Sequence, residues 1–337
     1  DLSAQLVSAA LPCPYCPHQL IMVNDAPHMD ISEALRSTPL FAGLGRIGIG
    51  RLARQCELLR LPGGALLYEQ GAPADALYLL AHGRLRAERV SDGESVVLRE
   101  LGRGETMGGL SLIAEMPHRA RLRAVRDSEV IRIPPGIVER MFYRHPRFGR
   151  EAVRTWLRNV LYSPPPKAGE DRRSVRTIAV VPVHHGASVE AVAQGLARAL
   201  QTRGATARID GHCVDAEGGR RLCQLSMDAA DSIRYLDDLE TEFRYVIYQT
   251  DTLSSEWAAR CLRQADRVVA VASSGVPAQR TEMSELLRKH ADGADVELVI
   301  VGDGVTDPLA WRELNGARLH HRVGVGRRSD FERLARL

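Results

Sequence analysis

Three consecutive prolines, Pro164-Pro165-Pro166, constrain this chain more than any other feature. Proline donates no backbone hydrogen bond and cannot continue a helix, so no regular element runs through them. The charged and small residues at 167–173 keep the following stretch in solvent. A Pro-rich linker over 163–174 therefore separates two folding units, and 337 residues suffice for each to bury its own core. A weaker edge lies near residues 27–30, where an unpatterned segment gives way to helical spacing, and it marks 1–29 as a disordered tail.

The two units differ in rhythm. Over 30–162, short apolar runs are punctuated by glycine, and strands are expected at 66–68, 76–81, 85–90, 95–98, 122–125 and 129–133. Asp92-Gly93, between two of these runs, is a hairpin signal because the pair favours the positive φ of tight turns. Helices are expected at 31–36 and 47–59 before the strands, and at 135–143 and 147–161 after them. The pattern is α+β, a β-roll with helical flanks. Over 175–326, strands at 177–183, 207–209, 245–248, 268–272 and 296–301 are separated by helices at 189–202, 254–264 and 281–290. Such alternation implies a doubly wound, mostly parallel α/β domain.

Charge narrows the range of partners. With 45 basic against 42 acidic residues the net charge is only +3, so no nucleic acid is expected as a partner. No apolar run approaches the about 18–20 residues that span a bilayer, and 1–29 does not read as a signal peptide. Six scattered cysteines suit a reducing, cytoplasmic location better than a disulfide framework. Cys13-Pro14-Tyr15-Cys16, with His18 nearby, matches a redox dithiol or half a metal site. A redox motif needs a strand before it and a helix after it. Only twelve residues precede this one and Pro17 follows, so it is read as part of the tail.

Pro62-Gly63-Gly64, Tyr68-Glu69-Gln70-Gly71 and His82-Gly83, followed by Leu101-Gly102-Arg103-Gly104-Glu105 and Gly108-Gly109-Leu110, resemble the cyclic-nucleotide-binding family over roughly 30–162. The resemblance extends through His118-Arg119-Ala120. A cyclic phosphate needs backbone N–H donors and an arginine, and a ribose hydroxyl needs a carboxylate acceptor. The resemblance puts Arg119 at the phosphate position, Gly109 where the family has its ribose-binding Glu, and Ala120 where it has a small polar residue. Gly108, Gly109, Leu110, Arg119 and Ala120 are thus the candidate ligand site, with cAMP or cGMP as the implied ligand. Losing a charge-assisted contact forfeits about 1.5–3 kcal/mol. Either nucleotide is therefore expected to bind weakly or not at all, with Arg119 a rim arginine beside Arg121 and Arg123.

The second unit is similar to the interior of the neuropathy target esterase family at Tyr245-Val246-Ile247-Tyr248-Gln249-Thr250-Asp251 and Trp257-Ala258-Ala259-Arg260-Cys261-Leu262-Arg263-Gln264. The final run from Arg327 to Leu337 shares this similarity. The resemblance implies the regulatory portion of an intracellular serine hydrolase acting on phospholipids and lysophospholipids, a patatin-like domain following in the same chain. Membrane phospholipid would be met through that domain. No G-x-S-x-G occurs in 1–337, so no catalytic residue is expected in this chain. Residues 327–337 are expected to be a connector helix. Its stripe of Phe331, Leu334 and Leu337 would dock on the catalytic domain for want of a partner in the α/β unit.

The α/β unit itself resembles a degenerate nucleotide-hydrolase fold. A phosphate loop needs several glycines and Lys-Ser/Thr, whereas Val183-His184-His185-Gly186-Ala187-Ser188 has one glycine and no lysine. Asp251 stands where such folds place a metal-binding acid. His184, His185, His320 and His321 read as loop-capping or surface residues, and neither metal nor cofactor is expected. A cyclic-nucleotide-responsive transcription factor would follow the roll with a DNA-reading helix-turn-helix, which the α/β pattern excludes. The alternative is a free-standing cyclic-nucleotide-binding signalling module.

Overall fold

The computed structural model describes residues 21–22, 28–91, 94–161, 175–210, 230–250, 252–291, 294–305 and 307–336. The tail cysteines, the proline run, Asp251 and Leu337 lie outside the described residues. The chain divides into two units, Asp1–Asp171 and Arg172–Leu337.

The first unit runs β1 (Ile21–Met22), α1 (His28–Ser37), a 3-10 turn (Pro39–Leu44), α2 (Gly45–Ala53), β2 (Glu57–Leu61), β3 (Leu66–Tyr68), β4 (Leu77–His82) and β5 (Leu85–Ser91). It continues with β6 (Glu94–Leu101), β7 (Thr106–Met107), α3 (Gly109–Ile113), β8 (Arg121–Ala124), β9 (Ser128–Ile133), α4 (Pro135–Arg144) and α5 (Pro146–Leu161). Two antiparallel sheets result, ordered β1-β2-β9-β4-β7 and β3-β8-β5-β6. Strand β4 is apolar along most of its length because both of its faces are buried. Leu77, Leu79 and Ala81 meet the flanking helices, with Leu35, Ile49, Val138 and Trp156. Tyr78 and Leu80 point into the roll, against Leu85, Leu101 and Leu122 of the other sheet.

The same two-sided burial corrects the helix expected at 47–59. It ends at Ala53, and Leu58 and Leu59 divide between the two cores as residues of β2. The hairpin expected around Asp92-Gly93 forms, with Ser91 opposite Glu94.

The second unit runs β10 (Thr177–Pro182), α6 (Val189–Gln201), β11 (Thr206–Asp210), α7 (Ala230–Glu242), β12 (Tyr245–Gln249) and α8 (Glu256–Gln264). Then come β13 (Arg267–Ser273), α9 (Glu282–His290), β14 (Asp295–Val301), α10 (Pro308–Asn315), β15 (Leu319–Val323) and α11 (Arg328–Leu334). Every strand pairing is parallel, in the order β11-β12-β10-β13-β14-β15. Alternate residues of β10 serve two cores: Ala179 and Val181 pack with α8, α9 and α10, while Ile178 and Val180 pack with α6 and α11. This is the doubly wound α/β arrangement.

The terminal helix differs from expectation. Phe331 and Leu334 of α11 are buried in the core with Val192, Leu196 and Leu200 of α6. A Cβ on Gly195 would stand 2.5 Å from the Phe331 ring, so the glycine makes room for that ring. Arg203 Nη1 also donates to the Ala335 carbonyl at 2.9 Å. The stripe of the 327–337 connector therefore has a partner within its own unit, and α11 is the last layer of the α/β fold.

Candidate functional site: the roll cavity and the β10–α6 loop

In the roll, β7 pairs with β4 and delivers the chain to Gly108. Gly108 has φ 80°, and a Cβ there would lie 2.8 Å from the Ala76 carbonyl oxygen, so conformation and space both demand glycine. The short helix α3 starts at Gly109, and beside it opens a cavity of about 420 Å3. Its apolar walls are Leu98, Leu101, Met107, Leu110 and Leu122, joined by the rings of Tyr68 and Trp156. Arg89, Arg99 and Arg119 also line it.

Trp156 accounts for Gly109. A Cβ at 109 would sit 2.2 Å from Cζ2 and 2.5 Å from Cε2 of the indole. Trp156 is 4% exposed, and its Nε1 donates to Thr106 Oγ1 at 3.1 Å. Where the resemblance assigns a ribose-binding carboxylate, a buried, hydrogen-bonded indole from α5 fills the space. Gly108, Gly109, Leu110 and Arg119 all line the cavity, whereas half-buried Ala120 is not among its walls.

The arginines differ in their commitments. Arg121 is paired with Glu88 at 2.7 Å, Arg123 donates to the Gly64 carbonyl at 3.1 Å, and Arg99 is paired with Glu105 at 2.7 Å. Arg89 and Arg119 are exposed, and among the described residues neither guanidinium has a hydrogen bond or ion pair. Behind the cassette, His118 stacks on Tyr68 with ring centroids 3.6 Å apart. Burial lowers the His118 pKa, with the charge of Asp75 opposing. Asp75 is itself held by the Tyr78 hydroxyl at 2.8 Å and by Arg132 at 3.1 Å.

In the α/β unit, the β10–α6 loop holds no phosphate cradle. His184 is buried, with Nδ1 2.8 Å from the His185 carbonyl oxygen, and its Nε2 accepts the Ser273 N–H at 2.8 Å. An accepting Nε2 makes Nδ1 the donor, so the ring is neutral and ties the end of β10 to that of β13. His185 is exposed. In the first turn of α6, Glu190 accepts from Arg208 at 2.6 Å and from Gln249 at 2.8 Å. The hydrogen bonds from Gln249 and then Arg208 hold its carboxyl below the usual range. The Glu190 carboxylate at the start of α6 is thus committed to partners within its own unit. His320 and His321 lie on β15 and not in a loop, with His321 Nε2 3.2 Å from Glu297. Among the described residues no group of three or more His, Cys, Asp or Glu side chains could hold a metal, and no helix is long and apolar enough to cross a membrane.

Trp156 and Arg89 escaped the sequence reading. Trp156 is one apolar residue on an amphipathic helix, and nothing local links it to a glycine far upstream. Arg89 sits in a strand where an exposed basic residue is ordinary.

Comparison with known proteins places both units. Residues 174–306 match the Neuropathy Target Esterase family P-loop like domain, and residues 58–145 match the Cyclic nucleotide-binding domain. The chain is 26% identical over 324 residues to patatin-like phospholipase domain-containing protein 6 of Pongo abelii, covering 81% of this chain and 23% of that protein. It is 27% identical over 299 residues to lysophospholipase nte1 of Aspergillus oryzae, covering 80% of this chain and 19% of that protein. The chain therefore spans about a fifth to a quarter of these relatives' length. A crystal structure of a cyclic nucleotide-binding domain from Methylobacillus flagellatus KT is similar at 19% identity and a TM-score of 0.35, over 42% of this chain and 82% of that one. Both domains are matched in this order and curated relatives align over about four fifths of the chain, so both units are similar to the N-terminal part of neuropathy target esterase family proteins.

Proposed function

We propose that this chain is the regulatory portion of a patatin-like (lyso)phospholipase, acting on a catalytic domain that follows it in the intact protein. The observation that supports this reading is the pair of matched domains in family order, each poor in groups that would hold a nucleotide. Trp156 fills the ribose-carboxylate position of the roll, and Glu190 at the start of α6 is committed to Arg208 and Gln249. What remains are two well-packed units suited to scaffolding and signalling. Cyclic AMP and cyclic GMP bind weakly or not at all, and no cofactor is required. The intact protein is cytoplasmic and meets membrane phospholipid peripherally, through its catalytic domain.

The experiment is an activity assay of the 337-residue chain on lysophosphatidylcholine, a short-chain ester and ATP, beside the intact protein. The intact protein hydrolyses the lipid and the isolated chain turns over none of the three. Turnover by the purified chain overturns the assignment. So does an intact protein whose lipid hydrolysis is unaffected when residues 28–336 are deleted.

A further inference from the structure

The roll cavity lacks the ribose-binding carboxylate that the family resemblance assigns to position 109, yet it is not filled. It keeps a volume of about 420 Å3, within the range of small-molecule sites. Its walls are hydrocarbon and aromatic, from Leu98, Leu101, Met107, Leu110, Leu122 and Trp156. Among the described residues no carboxylate lines it, so nothing there accepts a sugar hydroxyl with charge. The Thr106 hydroxyl is engaged by the Trp156 indole, and Arg99 is paired with Glu105. Arg89 and Arg119 are left, both exposed and both without a partner among the described residues.

We propose that this cavity binds a single-chain anionic amphiphile, with its hydrocarbon body against the leucine and Trp156 walls and its carboxylate or phosphate head on Arg89 and Arg119. The chemistry follows from the division of the site. Removing a hydrocarbon chain from water against these walls supplies the affinity. Two unpaired guanidiniums select a negative head, because each forms charge-assisted hydrogen bonds to a carboxylate or phosphate. A neutral head leaves both arginines as they were. A cyclic nucleotide brings ribose hydroxyls that find no carboxylate among the described lining residues, only the Asn159 amide and hydroxyls, and a ribose that meets the indole. The proposal concerns the roll alone and stands whether or not a phospholipase domain follows.

The test is calorimetry on the full chain with dodecanoate, dodecyl phosphate, dodecanol and cAMP, each below its aggregation concentration, with Trp156 fluorescence as a second readout. The expected result is 1:1 binding of at least one dodecyl anion, at least tenfold tighter than dodecanol. That binding weakens at least tenfold in an R89A/R119A double variant, both positions being exposed and outside the core. It is lost in Ala87→Phe, since Ala87 of β5 also lines the cavity and the variant places a ring in it. The two anions distinguish a carboxylate head from a phosphate head. Four results overturn the proposal: no saturable binding of either anion, equal affinity for dodecanol, undiminished affinity in the double variant, or tighter binding of cAMP. Should Ala87→Phe fail to fold, the arginine variants decide alone. Partition of the chain onto anionic vesicles without 1:1 binding of the monomeric anions would assign the arginines to a membrane surface, and also overturns the proposal.

Discussion

Adding a single methyl group at position 109 tests how the roll replaced its nucleotide contact. In Gly109→Ala the new Cβ would stand 2.2 Å from Trp156 Cζ2, well inside contact distance. Trp156 cannot simply retreat, since it is buried and its Nε1 is held by Thr106. Overpacking of this kind costs about 1–3 kcal/mol. Full expulsion of the indole would approach the about 3–5 kcal/mol of truncating a buried aromatic to alanine. In a Trp156→Ala background the obstacle is gone, and Gly109→Ala should then cost nothing or gain slightly, because alanine is the better helix former. The double-mutant cycle therefore predicts a coupling of about 1–3 kcal/mol between residues 47 positions apart in sequence. Hydrogen exchange of the β4 and β9 amides in the full chain reads the roll's stability separately from that of the α/β unit. An additive cycle, with Gly109→Ala equally costly in both backgrounds, would refute the account of Gly109.

Other changes are read from single sites. Phe331→Ala leaves a cavity between α11 and α6, and should destabilise the α/β unit by about 3–5 kcal/mol in its own thermal transition; an unchanged transition would return α11 to the role of an unpacked connector. His118 has a lowered folded pKa, so the unfolded chain binds the proton more readily and stability falls as pH drops below the ordinary histidine value of about 6.5. His118→Phe, which keeps a ring against Tyr68, should flatten that part of the pH–stability curve, and an equal slope in variant and wild type would show that another group causes it. The Glu190 carboxyl is lowered as well: its contribution is present above its unfolded pKa and is lost as pH falls through the depressed folded one. Arg208→Ala should therefore raise the Glu190 pKa in a carbon-detected NMR titration, with its stability effect confined to pH above that window.

Much of the architecture was legible because burial writes itself into local pattern. The apolar run of β4 and the hydrophobic strands β10, β13 and β14 are central strands covered on both faces, and such runs stand out in any window. Two strands did not. Strand β15 reads Leu-His-His-Arg-Val and buries only its final valine, so its polar face hid the strand. Strand β2 was absorbed into a helix because Leu58 and Leu59 continue an apolar spacing that either period accommodates. The cassette residues were placed by family resemblance, but their physical state rests on tertiary neighbours. The sequence identifies Gly109 as the loss of a carboxylate; only packing reveals a space taken by Trp156. Likewise the stripe on α11 was visible, while its partner, a face of α6 opened by Gly195, depends on how the sheet winds.

We propose that neither unit of this chain holds a nucleotide. Calorimetric titration of cAMP, cGMP and ATP into the 337-residue chain tests it most directly. No saturable heat is predicted for any of the three with ligand taken to about 1 mM, the level of −4 kcal/mol binding. A dissociation constant near or below about 1 μM, or −8 kcal/mol, for any one of them would contradict it.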